Sequence, residues 1–303
     1  MKTRYLNILT AAAIIALLLS ILPAPAIQTA EAKSGPWNFS VTLKPGIRYS
    51  YYLGPSNSGV VFVIDITPLT KSVDGACIQS VVKPKYDGTQ WNDVLEVLLP
   101  EPFPKQPVLI TVYTLSKLET RLELTETLQP GEWQGYSIGR ASNTTGPYLA
   151  DIDPLGSSVK NATFERIYIH PEASWENTFW DILRVQTDPT SVPGDLDARM
   201  RVYLAPKLPL VSDLHVTLKK TDQWAGFGIG PSSRRRGYVV RAIALDPGPN
   251  ILPSDLNQYI IQPEFDGQMW NDVLRIQAGN QDADWDQVEY NFKVYACDKK
   301  SCP

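Results

Sequence analysis

Apolar and polar residues alternate in a segment that the chain contains three times. The copies are YDGTQWNDVLEVL at 86–98, SWENTFWDILRVQ at 174–186 and FDGQMWNDVLRIQ at 265–277. Side chains alternate across a β-strand, so every second residue shares a face. In the third copy that face carries Trp270, Asp272, Leu274 and Ile276. One apolar and one polar face predict a half-buried antiparallel strand in each copy.

Other landmarks recur around this segment in a constant order. Aromatic stretches end at Gly54, Gly139 and Gly230; apolar stretches close at Pro68, Pro154 and Pro247; prolines precede the motif at Pro84, Pro171 and Pro263; and Val-Tyr pairs end at Tyr113, Tyr203 and Tyr295. Asp-Gly pairs at 87–88 and 266–267 are typical of turns with positive φ. The period of about 90 residues indicates one small domain per repeat rather than a solenoid coil.

The chain shows almost no sustained helical periodicity, and its 25 prolines mark strand edges and connections. We therefore predict an all-β protein of three tandem homologous small antiparallel β-sandwich domains of jelly-roll-like form. The predicted units are 33–118, 119–207 and 208–303.

The first 32 residues have the features of a secretory signal peptide. Lys2 and Arg4 precede an apolar run at 8–22, and small residues follow at 24–26 and 30–32. We expect a secreted or cell-surface protein with no membrane span after cleavage. The alternative is an uncleaved membrane anchor, although the run is shorter than the roughly 20 apolar residues that a spanning helix needs.

The formal net charge of −4 does not favour nucleic-acid binding, which needs a clustered cationic surface. One basic run, 234–236, stands in a Pro-Ser-Ser loop and has no counterpart in the other repeats. It is either a solvated loop tip or a contact for an anionic glycan or lipid head group.

Three cysteines are present. Cys297 and Cys302 lie five residues apart near the C-terminus, and we expect a disulfide between them in an exported chain. Cys77 is then a buried thiol, or it pairs with one of the other two.

The sequence contains no recognisable catalytic constellation. Its only histidines are His170 and His215, and no nucleophile elbow or metal-binding histidine pair accompanies them. We therefore expect a protein that is not an enzyme.

Acidic residues of the repeated motif are the most notable polar side chains. The repeated aspartate is Asp93, Asp181 or Asp272, on the same face as the core residues. It is either structural, accepting hydrogen bonds, or part of a calcium site. The candidate calcium ligands are Asp87, Asn92, Asp93, Asp266, Asn271 and Asp272. No other cofactor is expected.

The motif tryptophans allow two interpretations. Trp91 and Trp270 share the face of the core residues, which favours buried anchors. A strand that begins beyond the sheet would instead present them, with Trp180, as platforms for a sugar.

The repeats open with Thr-Leu-x-Pro-Gly, at 42–46 and 127–131, and close with Val-Tyr strands. In these two ends each repeat resembles the pre-peptidase C-terminal modules of secreted bacterial enzymes. The resemblance implies a small β-sandwich, and it does not extend to the central Trp-Asn-Asp-Val-Leu. It implies no activity, because no peptidase accompanies the modules.

Together these features favour an exported, non-enzymatic binding or structural protein. One alternative is a lectin-like carbohydrate binder that uses the repeated aromatic residues. Another is a subunit of an extracellular assembly, or an accessory module of a secreted enzyme system. The expected partners are a glycan or cell-surface polymer, or further copies of the chain, since tandem sites gain avidity on a repetitive target.

Overall fold

The computed structural model describes most of the chain after the expected signal peptide. The described residues are 28–29, 37–116, 118–141, 146–173, 178–205, 207–219, 224–245, 256–278, 287–299 and 301–302. The signal-peptide prediction for 1–32 falls outside them, apart from Gln28–Thr29. Within the described ranges, no helix has the length and apolar character needed to cross a bilayer.

Nineteen strands make up nearly all the regular structure of the described residues. The first is the two-residue β1 (Gln28–Thr29). The first repeat then contains β2 (Trp37–Leu43), β3 (Arg48–Pro55), β4 (Val61–Pro68), β5 (Gln79–Tyr86), β6 (Trp91–Leu98) and β7 (Gln106–Leu115). The second contains β8 (Glu119–Leu128), β9 (Gln134–Arg140), β10 (Tyr148–Pro154), β11 (Phe164–Ala173), β12 (Phe179–Thr187) and β13 (Leu196–Leu204). The third contains β14 (Leu210–Lys219), β15 (Ala225–Pro231), β16 (Gly237–Ala244), β17 (Leu256–Phe265), β18 (Trp270–Ala278) and β19 (Gln287–Cys297).

Each repeat folds into two three-stranded antiparallel sheets with the same topology. One sheet places the last strand between the first and third, in the orders β2-β7-β4, β8-β13-β10 and β14-β19-β16. The other places the fifth strand between the second and fourth, in the orders β3-β6-β5, β9-β12-β11 and β15-β18-β17. The short β1 adds to β3 in parallel. The prediction of an all-β fold with three small jelly-roll-like sandwiches is confirmed.

The motif strand lies at the centre of its sheet, and the predicted alternation holds in β12 and β18 but not in β6, where both faces are buried from Trp91 to Val97. In β18 the residues from Trp270 to Ile276 alternate between buried and partly buried, with the apolar face inward. The motif aspartate pairs across the sheet with the recurring glycine, Gly54, Gly139 or Gly230, at an irregularity in the register. These glycines have φ values of 155 to 157°, a conformation that side chains disfavour. The recurring glycine is therefore a bulge residue.

One landmark was wrongly aligned in the third repeat. Pro68 and Pro154 each lie opposite the residue five positions before the closing tyrosine of the last strand. In the third repeat that position belongs to Ala244, which pairs with Tyr290, and not to Pro247. Pro247 itself lies outside the described residues, and the third-repeat counterpart of Pro68 and Pro154 is Ala244, the last residue of β16.

The motif tryptophan of one repeat is buried in the hydrophobic core of the next. Trp91, from the first repeat, lies in the second repeat's core, where its ring centroid is 6.2 Å from that of Phe164. Its indole Nε1–H donates to the carbonyl of Gly156 at 3.1 Å. Trp270, from the third repeat, lies in the first repeat's core and donates to the carbonyl of Thr70 at 2.7 Å.

Backbone hydrogen bonds fix both insertions. The N–H of Tyr86 donates to the carbonyl of Ala162 at 2.9 Å, and the N–H of Phe265 donates to Ala76 at 2.8 Å. The turn after β5 or β17 is thus tied to the loop before the fourth strand of its neighbour. The first and third repeats therefore each insert the tip of one hairpin into a neighbouring repeat, an arrangement we call the exchange of hairpin tips.

The second and third repeats are joined by polar contacts. The His170 ring Nδ1 lies 2.9 Å from the carbonyl of Leu256, and the Tyr259 hydroxyl donates to the carbonyl of Ile169. The buried ion pair between Arg241 and Asp181 lies beside them. With these contacts the first repeat packs on the second, the second on the third, and the third on the first.

A separate apolar cluster lies where the third strands of the repeats meet. It contains the equivalent residues Val63 and Val239, with Leu149 packed against it. The Cys297–Cys302 disulfide belongs to this cluster, with Cα atoms 5.5 Å apart. The predicted disulfide is confirmed, and Cys77 is a free thiol that is partly buried.

Replacing Trp270 with alanine tests the exchange of hairpin tips. We expect Trp270→Ala to lower the free energy of unfolding by about 3–5 kcal/mol, because a large buried ring and its hydrogen bond are lost. Hydrogen exchange should accelerate in the first repeat, whose core the ring fills, more than in the third.

The matched control is Trp224→Ala, because Trp224 is 42% exposed. That change should alter stability by no more than about 0.5 kcal/mol. Faster exchange confined to the third repeat in Trp270→Ala would contradict the exchange of hairpin tips.

Candidate functional site

A cavity of about 370 Å³ lies between the three repeats. Its walls are formed by the third and fourth strands of every repeat, β4 and β5, β10 and β11, and β16 and β17. The cavity therefore exists only because the three repeats pack against one another. Its equivalent wall positions carry Phe62, Tyr148 and Tyr238.

Aromatic and aliphatic side chains dominate the cavity wall. Tyr168 and Tyr259 extend the ring of aromatic residues, and burial raises the pKa of Tyr168 and of Tyr259 well above the ordinary tyrosine range. Both phenols therefore stay neutral at physiological pH. Tyr238 also lines the cavity, and its hydroxyl donates to Asp272 Oδ2 at 2.9 Å. The wall thus combines apolar surface with a few fixed hydroxyl groups.

Charged residues occupy one equivalent position on the third strands. Each lies opposite the residue two positions before the closing tyrosine of the last strand, and all are at most 6% exposed. They are Asp65, Asp151 and Arg241. Each interacts electrostatically with the motif aspartate of the preceding repeat. The facing residues are Asp272 for Asp65, Asp93 for Asp151 and Asp181 for Arg241.

At the contact between the second and third repeats these charges are opposite. The Arg241 Nη2 atom lies 3.1 Å from Asp181 Oδ2, and both side chains are 2% exposed. Arg241 also donates to the carbonyl of Gly146 at 2.8 Å and lies 5.0 Å from the centroid of the Tyr148 ring. Burial raises the pKa of Asp181 to about 6, although the Arg241 guanidinium opposes this shift. A buried charge here is thus paired and hydrogen bonded, as its desolvation requires.

At the other two contacts both partners are carboxyl groups. Burial and the charge of Asp151 raise the pKa of Asp93 to about 7. Burial and the charge of Asp272 likewise raise the pKa of Asp65 to about 7. Asp151 itself is held by Arg201, whose Nη1 lies 2.8 Å from Oδ2. Two like charges in a buried site disfavour each other, so Asp93 and Asp65 are each about half-protonated near pH 7.

Asp93 and Asp151 both line the central cavity. One of them is balanced by arginine and the other is half-protonated near pH 7. The cavity wall therefore contains a carboxyl group that can accept a proton, or pair with a cationic group of a bound molecule.

The residues predicted as calcium ligands are divided between two environments. Asp87 Oδ1 accepts backbone N–H groups of Thr89 and Gln90 at 2.7 and 2.9 Å, and Oδ2 accepts the Asn92 amide at 2.9 Å. Asp266 is bonded in the same way to Gln268, Met269 and Asn271. These groups close the turn before the motif strand.

The other two predicted ligands, Asp93 and Asp272, are buried at the contacts between repeats. In the described part of the chain, no three His, Cys, Asp or Glu side chains converge as a metal site would require. The motif aspartates thus serve either turns or contacts between repeats.

The three tryptophans predicted as sugar platforms also lie in two different environments. Trp91 and Trp270 are 6% and 8% exposed, and their rings lie inside cores, with no face open to a sugar. Trp180 is partly exposed on β12, with the Arg140 guanidinium 5.9 Å from its ring centroid.

The histidines differ in environment as well. His170 is buried, and its Nε2 lies 2.6 Å from Glu172 Oε1 while its Nδ1 contacts a carbonyl oxygen. His215 lies on β14 with a 61% exposed side chain, near Glu289. Both ring nitrogens of His170 are therefore occupied by structural partners.

We expect the free energy of unfolding to fall as the pH rises from about 5 to 8. Folded Asp65 and Asp93 keep a proton up to pH about 7, whereas an unfolded aspartate loses it near pH 4. Folding between these values takes up protons, so raising the pH opposes it. In Asp93→Asn the slope should be smaller, and thermal unfolding at pH 8 should occur roughly several degrees higher.

Asp87→Asn is the control for this effect. Although burial acts in the opposite direction, hydrogen bonds from Thr89 and Gln90 lower the pKa of Asp87 to about 2. Its stabilising contribution is present above pH 4 and is lost on acidification, so this variant should keep the slope between pH 5 and 8. An unchanged slope in Asp93→Asn would contradict the assignment.

Comparison with known proteins returned no match: no family model fits the chain, and no curated protein or solved structure is significantly similar to it. The resemblance to pre-peptidase C-terminal modules therefore stays a prediction.

Proposed function

We propose that the protein is an exported, non-enzymatic binding protein that holds a small, largely apolar molecule in the cavity between its repeats. The observation that supports this most is that all three repeats contribute the same two strands to one concave space. A volume of about 370 Å³ lies within the usual range for small-molecule sites, roughly 300–1,000 Å³. The exchange of hairpin tips keeps the repeats in place and so keeps the cavity preformed.

The chemistry of the wall favours a ligand with a cationic group. Tyrosine, isoleucine and valine side chains supply apolar contact area, and Asp93 and Asp151 supply negative charge on one side. An ammonium group beside Asp93 would replace the proton that burial otherwise imposes on the carboxyl group. Tyrosine rings add favourable cation–π contact.

Two further observations support the general role. The Cys297–Cys302 disulfide is typical of proteins in oxidising compartments, which supports export. The imidazole of His170 is held between Glu172 and a backbone carbonyl, which supports a structural role for it rather than a catalytic one.

Titration with benzylamine and benzyl alcohol at pH 8 tests the proposal, because the two probes differ in charge but hardly in shape. We expect benzylamine to bind at least about 10-fold more tightly than the alcohol in calorimetric titrations. Asp93→Asn should remove that preference and leave the weaker binding of the alcohol. Ala150→Trp, which fills the cavity from β10, should abolish both.

Asp87→Asn serves as the control for a general change in charge, because Asp87 caps an exposed turn. Binding that survives Ala150→Trp, or equal affinity for the two probes in the natural chain, would contradict the proposal.

A further inference from the structure

A second cavity, of about 450 Å³, lies at the contact between the first and third repeats. One wall is the β2–β7 side of the first repeat, including Thr111 and Tyr113. The others are the 3-10 turn Ser232–Arg234 with the residues after it, and the C-terminal loop. The cationic residues of the lining are Arg234, Arg235, Arg236 and Lys299, and its one carboxylate is Asp298.

The three arginines form no ion pairs with other described residues. The ion pairs formed there use other cations, such as Arg48, Arg201 and Arg241. Arg234 and Arg235 do lower the pKa of Asp272 and of Asp65 from a distance, against the larger effect of burial. Arg234 and Arg235 are nevertheless exposed and Arg236 is partly exposed, so all three can contact a ligand.

The backbone that carries these arginines is firmly anchored. The Tyr113 hydroxyl donates to the carbonyl of Arg235 at 2.7 Å, and Thr67 Oγ1 lies 3.3 Å from the carbonyl of Ser232. Across the cavity, the Cys297–Cys302 disulfide closes the loop that contains Lys299. The cationic groups therefore project from positions that folding has already fixed, which lowers the entropy lost on binding.

The first repeat contains the same turn without the charges. Its 3-10 turn, Ser56–Ser58, ends at Gly59 with φ 67°, and the turn Ser232–Arg234 ends at Arg235 with φ 52°. This left-handed conformation favours glycine, and a side chain there is strained. The third repeat thus has Arg235 at the position where the equivalent turn of the first repeat has Gly59. Such retained strain is a common feature of functional positions.

We propose that this cavity is a binding site for an anionic oligosaccharide that carries more than one sulfate or carboxylate group. Four cationic side chains around one space match several negative charges on one molecule, and arginine forks suit planar or tetrahedral oxyanions. The concave shape and volume suit a discrete ligand rather than a flat membrane surface. This site is separate from the central cavity and does not depend on the function proposed for it.

A variant that carries the first repeat's turn tests the site. Arg234→Ser, Arg235→Gly and Arg236→Val together reproduce residues 58–60, a sequence that already folds in the same turn. The probes are a trisulfated disaccharide, its unsulfated counterpart, inorganic sulfate, and vesicles that contain anionic lipid. Calorimetric titration at low and high salt gives the affinities, and thermal unfolding shows that the variant is folded.

We expect the natural chain to bind the trisulfated disaccharide at least about 10-fold more tightly than inorganic sulfate, and not to bind the unsulfated sugar. The affinity should fall as salt rises, and it should drop at least about 10-fold in the turn variant and in Lys299→Ala. If the turn variant proves unstable, Arg235→Gly alone should still weaken binding severalfold while restoring the favoured residue. Equal binding by the natural chain and the variants, or binding to vesicles alone, would overturn the proposal.

Discussion

The burial of a motif tryptophan in the core of a neighbouring repeat is the interaction on which the rest of the structure depends. A sandwich of six short strands has a modest core. Trp91 of the first repeat fills the core of the second, and Trp270 of the third repeat fills the core of the first. The indole N–H groups bond to carbonyls of the receiving repeats, so each insertion has one geometry. The repeats therefore stabilise one another and are not independently folded domains joined only by linkers.

This packing brings together charged groups that lie far apart in the chain. The strand that starts with the tryptophan continues to the motif aspartate, which is carried to the third strand of the next repeat. One contact pairs Asp181 with Arg241, and the other two bring carboxyl groups together. The threefold arrangement is thus approximate in shape and unequal in charge. The central cavity therefore has similar apolar walls on all sides but carboxyl groups, those of Asp93 and Asp151, on one side only.

The sequence predicted the repeats, the all-β sandwiches, the terminal disulfide and the alternating burial of the motif strand in the second and third repeats, because these depend on local periodicity and spacing. It did not predict that both faces of the first motif strand, β6, are buried. The sequence did not predict that the Trp91 ring packs in the core of the second repeat. Alternation shows which face of a strand is apolar, but it does not show which core that face packs against. The charged partner of Asp181 was missed because Pro247 aligned the third repeat wrongly, which hid the equivalence of Arg241 with Asp65 and Asp151. The basic run at 234–236 was visible, but its facing wall comes from the first repeat.

Differential scanning calorimetry of the whole chain tests the mutual dependence of the repeats most directly. Three sandwiches that share cores should unfold in one transition, with the calorimetric enthalpy equal to the van't Hoff enthalpy. Sandwiches joined only by linkers would unfold in separate transitions, or in one broad transition whose calorimetric enthalpy is about three times the van't Hoff value. A single two-state transition is the expected result, and separable transitions would contradict the account.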